Sequence, residues 1–245
     1  MTNLDQNFLL INKPAGWTSF DVVGFIRNRI RKSGLSVNPD FTSNIKVGHA
    51  GTLDPFATGL LIVGVGREAT KRLDEFKSLP KTYVAEIKLG ETSTTGDPTG
   101  TITPPVILSK AKDPLKSALR DSSVPQNDSV NIIETTLKSF TGKQSQIPPM
   151  YSAKQVGGQR LYKLARAGKT IDRQPSEIEI YDIKLLDYAW PILKIEVKCS
   201  AGTYIRTLAE DIGARLGVGG YCLSLVRTAI GNYLLEDAVN PDDYK

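Results

Sequence analysis

The chain has 245 residues, 40% of them hydrophobic and 23% charged, with 31 basic against 26 acidic side chains and a net charge of +5. That length holds one large domain or two small ones with ample core, and the mild positive balance admits a polyanionic partner without demanding one. Two cysteines (Cys199 and Cys222) and one histidine offer no metal-ligand spacing, which argues against a zinc site and for a reduced, intracellular setting. Residues 1–8 are polar and lack a signal-peptide pattern, and no apolar run is long enough to cross a bilayer. A cytoplasmic protein is expected.

In chain order, Phe8-Leu9-Leu10-Ile11 reads as a strand ended by the turn residues Asn12-Lys13-Pro14-Ala15-Gly16. Thr18-Ser19-Phe20-Asp21 has the form of a capping box and opens a helix with Val22, Val23, Ile26 and Ile30 on its apolar stripe. Arg27, Arg29, Arg31 and Lys32 make that helix basic, as a solvated face or a phosphate-contacting one. Residues 34–45 read as a polar loop. The stretch 46–66 then combines a glycine-punctuated loop, carrying His49 and Asp54, with the apolar run Leu60–Val65, which suits a strand buried on both faces. Asp54-Pro55 alone reads as a turn or as a carboxylate held for chemistry, and His49 as a packed residue or a functional one.

Residues 67–76 predict a short helix. Lys81 to Leu89 alternates as a strand with Tyr83, Ala85, Ile87 and Leu89 on one face, so Tyr83 is by pattern a core aromatic. Residues 91–100 form a turn-rich loop, and 104–130 a polar insertion unlike its surroundings. A helix over 132–140 follows. Gln146 to Ala153 is extended by its prolines, and Arg160 to Gly168 is helical with a glycine stop, giving a basic, tyrosine-bearing element over 146–175. Residues 178–185 and 193–199 alternate as neighbouring strands. Ile205, Leu208, Ala209, Ile212 and Leu216 mark a helix, with Thr207 and Glu210 as a possible capping box and Tyr204 and Arg206 at the strand-to-helix junction. Strands over 222–228 and 233–235 end the chain. Alternating strands with few helices predict an α+β class, a mixed, largely antiparallel sheet with flanking helices.

Seven segments in register resemble the TruB-type tRNA pseudouridine synthases: 12–19 (NKPAGWTS), 48–61 (GHAGTLDPFATGLL), 81–83 (KTY), 147–153 (IPPMYSA), 161–168 (LYKLARAG), 202–208 (GTYIRTL) and 225–228 (LVRT). The segments run from residue 12 to residue 228, and the resemblance covers residues 8–238. The resemblance implies the pseudouridine synthase fold in a single catalytic domain over 1–245, and isomerisation of the uridine at position 55 in the TΨC loop of tRNA. It implies no cofactor and no metal, and a monomer whose partner is the TΨC arm of tRNA. By the same resemblance Asp54 is the nucleophile, and Arg206 pairs with it and keeps it ionised. Tyr83 stacks on the flipped uracil, and Tyr204 is the second site tyrosine. Leu225 is an apolar wall under the base, and His49 fills the space the nucleotide leaves. Lys13 braces or contacts the substrate site, and Arg160 and Arg166 contact phosphates. The family pattern continues into a C-terminal PUA-like domain, which this sequence is not expected to carry, and Val226 stands where an arginine is common. Three other readings compete: an RNA-binding or tRNA-folding protein without strong catalysis, a guide-RNA-dependent synthase related to dyskerin, and a glycoside hydrolase. The last needs two cooperating carboxylates.

Overall fold

The computed structural model describes residues 7–33, 45–104 and 126–243. Residues 34–44 of the expected polar loop and 105–125 of the expected insertion lie outside them. In chain order the elements are β1 (Phe8–Lys13), α1 (Ser19–Ser33), β2 (Val47–His49), β3 (Thr58–Val65), α2 (Arg67–Lys77), β4 (Lys81–Leu89), β5 (Thr92–Ser93) and β6 (Ile102–Thr103). There follow α3 (Gln126–Lys138), β7 (Gly142–Gln146), β8 (Gln155–Val156), β9 (Gln159–Arg160), α4 (Leu161–Arg166), β10 (Ser176–Ala189), β11 (Ile192–Cys199), α5 (Ile205–Arg215), β12 (Gly220–Ile230) and β13 (Tyr233–Leu234). The chain divides into two compact units, Met1–Tyr83 with Val226–Lys245, and Val84–Leu225. The division falls inside β4 and β12.

In the first unit β3 pairs antiparallel with β1 (Phe8 opposite Gly64) and with β2 (Val47 opposite Val65), and parallel with β12 (Val226 opposite Thr58, Arg227 opposite Gly59). The run Leu60-Leu61-Ile62-Val63 is unbroken because both faces of β3 are covered. Leu60 and Ile62 pack with Phe8, Ala69, Leu73 and Phe76 on the α2 side. Leu61 and Val63 pack with Ile11, Val22, Val23 and Ile26 on the α1 side. All four strand residues are fully buried, contributing about 1.5–3 kcal/mol each. The expected capping box opens α1: the Asp21 amide donates to Thr18 Oγ1 at 3.1 Å and the Thr18 amide to Asp21 Oδ2 at 2.7 Å. At the other end of the unit, buried Lys81 closes α2, its ammonium donating to the carbonyls of Phe76 (3.2 Å), Leu79 (2.6 Å) and Lys77.

In the second unit the strand order is β12-β4-β11-β10-β7, with β10 antiparallel to both β11 and β7. β4 alternates as expected, with Ala85, Ile87 and Leu89 buried. Helix α3 begins earlier than the periodicity alone indicates, at Gln126, and seats Ile133 and Leu137 in the core. A hairpin, β8 and β9, turns on Gly157 and Gly158 (φ 57° and 78°), the left-handed pair of a tight two-residue turn. The Thr207–Glu210 capping box does not form. Helix α5 already starts at Ile205, so Thr207 lies inside it with a buried hydroxyl that caps nothing. The Gln146 side chain takes over at the junction, accepting from the Tyr204 amide at 2.8 Å and donating to its carbonyl at 3.0 Å. The observed class is the expected α+β, a large mostly antiparallel sheet with helices on it.

Gly59 tests how tightly the first unit is closed. Its φ is +105°, and a Cβ there would lie 2.4 Å from the Arg227 carbonyl oxygen on β12. Gly142 shares that conformation (φ +104°) with open space around it. Gly142→Ala therefore isolates the backbone strain, about 1–2 kcal/mol, and Gly59→Ala adds overpacking of about 1–3 kcal/mol. Urea denaturation of the two variants should show Gly59→Ala the less stable by that difference; equal losses would refute the close approach.

Candidate active site

In the first unit the loop between β2 and β3 is held at nearly every step. The Leu53 amide donates to Ser19 Oγ at 2.9 Å, and that hydroxyl returns a 3.4 Å bond to the Leu53 carbonyl. The Ala57 amide closes a turn onto the Asp54 carbonyl (3.1 Å), with Pro55 at the position where its fixed φ suits a turn. The Pro55 carbonyl accepts from the Gly16 amide (2.8 Å) and from Lys13 Nζ (3.4 Å). Asp54 thus stands half-buried on a turn whose neighbours on both sides are fastened.

Lys13 is fully buried, and its ammonium also donates to the carbonyls of Pro14 (2.9 Å) and Trp17 (2.7 Å). Burial pushes its pKa down to about 8; attraction to Asp54 opposes that fall and repulsion from Arg227 adds to it. Arg227, also buried, donates from Nε to the Leu60 carbonyl (2.7 Å) and from a terminal nitrogen to the Gly51 carbonyl (3.2 Å). It therefore bridges the two ends of the Asp54 loop. His49 is half-buried at the end of β2, its ring 6.0 Å from that of Phe20 at 86°, edge to face. Burial, with Arg227 nearby, pushes His49 down to about 4, so its ring is neutral at physiological pH. Tyr83 is buried, 9% exposed, near the start of β4, as the alternation implies.

In the second unit Arg206 is the centre. It lies in the first turn of α5, 3% exposed. One terminal nitrogen donates to the Thr95 carbonyl (2.7 Å) and pairs with Asp97 Oδ2 (3.3 Å); the other donates to the Tyr151 carbonyl (2.6 Å). Asp97 is itself held by Thr95 Oγ1 (2.7 Å), the Thr99 amide (2.9 Å) and Thr99 Oγ1 (2.5 Å). Glu210, one turn after Arg206, is pushed up to about 7 by burial and by Asp211 and Asp97, against the pull of Arg206. Tyr204 precedes the helix in the Gln146 clamp, and Leu225 is buried in β12. Arg160 and Arg166 are exposed on β9 and α4, Arg166 lying 5.6 Å from the centre of the Tyr162 ring. Arg173 ties the proline stretch to this region through the Pro148 carbonyl (3.0 Å).

Each unit thus gathers its own share of the expected residues: Lys13, His49, Asp54 and Tyr83 in the first, Arg160, Arg166, Tyr204, Arg206 and Leu225 in the second. Sequence reasoning misses Arg227, Asp97 and Gln146. Arg227 lies in the quoted 225–228 segment, the only signal available for it; Asp97 is hidden in a turn-rich loop and Gln146 in a run of polar residues. Among the described residues no three of His, Cys, Asp or Glu converge to hold a metal ion, and no helix is long and apolar enough to cross a membrane.

Comparison with known proteins identifies the family. Residues 40–205 match the family model described as TruB family pseudouridylate synthase, N-terminal domain. A protein of Parabacteroides distasonis named tRNA pseudouridine synthase B is 42% identical over 238 residues, covering 96% of this chain and 90% of its own length. Its namesake in Protochlamydia amoebophila is 39% identical over 235 residues, covering 96% of this chain and 78% of its own. Among solved structures, a chain of a Cbf5-Nop10-Gar1 complex superposes with a TM-score of 0.64 at 25% identity, over 96% of this chain and 52% of that one. Matched by the family model over more than half its residues, and by these relatives over nearly all of them, the chain belongs to the TruB family of pseudouridylate synthases.

Proposed function

We propose that this protein converts uridine to pseudouridine in tRNA, at the TΨC-loop uridine, position 55, with Asp54 as the nucleophile. The observation that carries the proposal is the Asp54 loop: one carboxylate on a turn fastened by Ser19, Gly16, Lys13 and Arg227. A loop so held keeps the Asp54 main chain in place when a nucleotide arrives, which serves the positioning that covalent catalysis asks of its nucleophile. The names of the sequence relatives support tRNA as the substrate.

The reaction breaks the N1–C1′ bond, turns the uracil over, forms a C5–C1′ bond and moves the C5 proton to solvent while N1 gains one. Atoms balance with no redox change. Asp54 adds to the nucleotide at C1′ or at C6 and is released when the new bond is complete. Within the proposal Tyr83 stacks on the uracil, Arg206 supplies the charge partner of the carboxylate, Tyr204 lies by C5 and Leu225 forms an apolar wall. Arg160 and Arg166 contact phosphates. His49, neutral at pH 7, acts by stacking and by occupying space rather than by proton transfer.

On an unmodified tRNA transcript without guide RNA or added protein, the wild type should form pseudouridine at the TΨC-loop uridine. Asp54→Asn should bind the same transcript and lose more than about a thousandfold in turnover. Multiple turnover by that variant would remove Asp54 from the mechanism, and wild-type binding without turnover would favour an RNA-binding role.

His49 is the single histidine, so its proton NMR signal is unambiguous. Its ring should keep the neutral chemical shift down to about pH 5, with a midpoint near 4. The unfolded chain binds a proton here near pH 6.5 while the fold does not, so stability at this site falls as pH drops from about 6.5 to 4. A midpoint between pH 6 and 7 would contradict the buried, neutral ring.

A further inference from the structure

Phe20 is 68% exposed, the most exposed large apolar side chain among the described residues. Single exposed apolar residues are common on protein surfaces and by themselves mean little. This one differs in its place. It follows Ser19, whose hydroxyl holds Leu53 at both amide and carbonyl, so the first turn of α1 is pinned to the residue before Asp54. Its ring meets His49 edge to face at 6.0 Å. An exposed phenyl ring backed by a half-buried imidazole therefore stands next to the fastened turn that carries Asp54. Beyond it the same helix carries Arg27, Arg29, Arg31 and Lys32, with Asp21 its only acid.

We infer that Phe20 and His49 together form a stacking platform for an unpaired nucleobase of the RNA loop next to the uridine acted on. The inference rests on the function proposed above and adds to it a substrate contact of named chemistry. A flipped nucleotide leaves a neighbour without its stacking partner. A phenyl ring offers a flat apolar face that any base accepts, and a neutral imidazole set at right angles offers a second wall. The cationic helix matches a phosphate backbone continuing from that base. A phenyl ring paired with one half-buried imidazole presents too little apolar area for a protein partner, for which larger contiguous patches are the rule.

The test uses the full chain with an RNA stem-loop carrying 2-aminopurine beside the target uridine, and compares Phe20→Ala, Phe20→Leu and Phe20→Trp with the wild type. Stacking on the wild-type ring should quench the 2-aminopurine signal. Phe20→Ala and Phe20→Leu should both lose the quench and raise KM and the RNA Kd by about 5- to 150-fold, the range for one base–aromatic stack. Phe20→Trp should restore both. Because the ring is exposed, thermal unfolding midpoints should stay within about 2 °C of the wild type. Leucine as good as phenylalanine would reduce the contact to apolar bulk, and unchanged KM and Kd in all variants would overturn the inference. Should the wild type bind but not turn over the RNA, the proposed function fails, while the quench and Kd still decide the platform on their own.

Discussion

Two buried cations hold the Asp54 loop. Lys13 reaches it from the turn after β1 and Arg227 from β12, and between them they take up the carbonyls of Gly51, Pro55 and Leu60. Taking an ammonium and a guanidinium out of water costs several kcal/mol each unless the donors are satisfied. Here they are met by main-chain oxygens, each such bond to a charged donor contributing about 1.5–3 kcal/mol. The outcome is specific rather than simply stabilising. Carbonyls that a loop would ordinarily turn to solvent are taken up by buried cations, and the main chain on either side of Asp54 is fixed. The double-sided burial of β3 provides the rigid base for this, since a strand packed on both faces cannot change register without exposing one of them.

The second unit uses the same device, a buried cation met by oxygen acceptors. There a single buried guanidinium, Arg206, is surrounded by oxygen: two carbonyls and the Asp97 carboxylate, the last oriented by two threonine hydroxyls and an amide. Glu210 adds a further acid one turn along, poised near neutrality because burial raises it while Arg206 pulls it down. Planar, bidentate and permanently charged, arginine suits a position that must present fixed donors; a lysine would offer one point charge in their place.

The sequence is a good guide to the strands and helices and a poorer one to the site's supports. Alternation over β4, β10 and β11 and the apolar run of β3 carry their burial in their periodicity, so these elements are readable directly. Asp54 stands out through its glycines and proline. Lys13, Lys81 and Arg227 do not, because a basic residue in a sequence reads as solvent-facing, and only three-dimensional packing brings main-chain carbonyls around it. Asp97 is invisible for a related reason: its partners Thr95 and Thr99 are ordinary turn residues, and Arg206 is more than a hundred residues away. The Thr207–Glu210 pattern misleads because Gln146, distant in sequence, already serves the helix start.

The span of Arg227 has a consequence for the order in which the protein is made. Its bonds to Leu60 and Gly51 join residues 167 and 176 positions apart. Synthesis runs from the N-terminus, so a nascent chain carries Asp54 early but lacks the guanidinium that closes its loop until β12 has emerged from the ribosome. The loop therefore gains its fixed setting only once β12 has been made, and an incomplete chain, though surrounded by RNA at its birthplace, does not yet possess the finished loop.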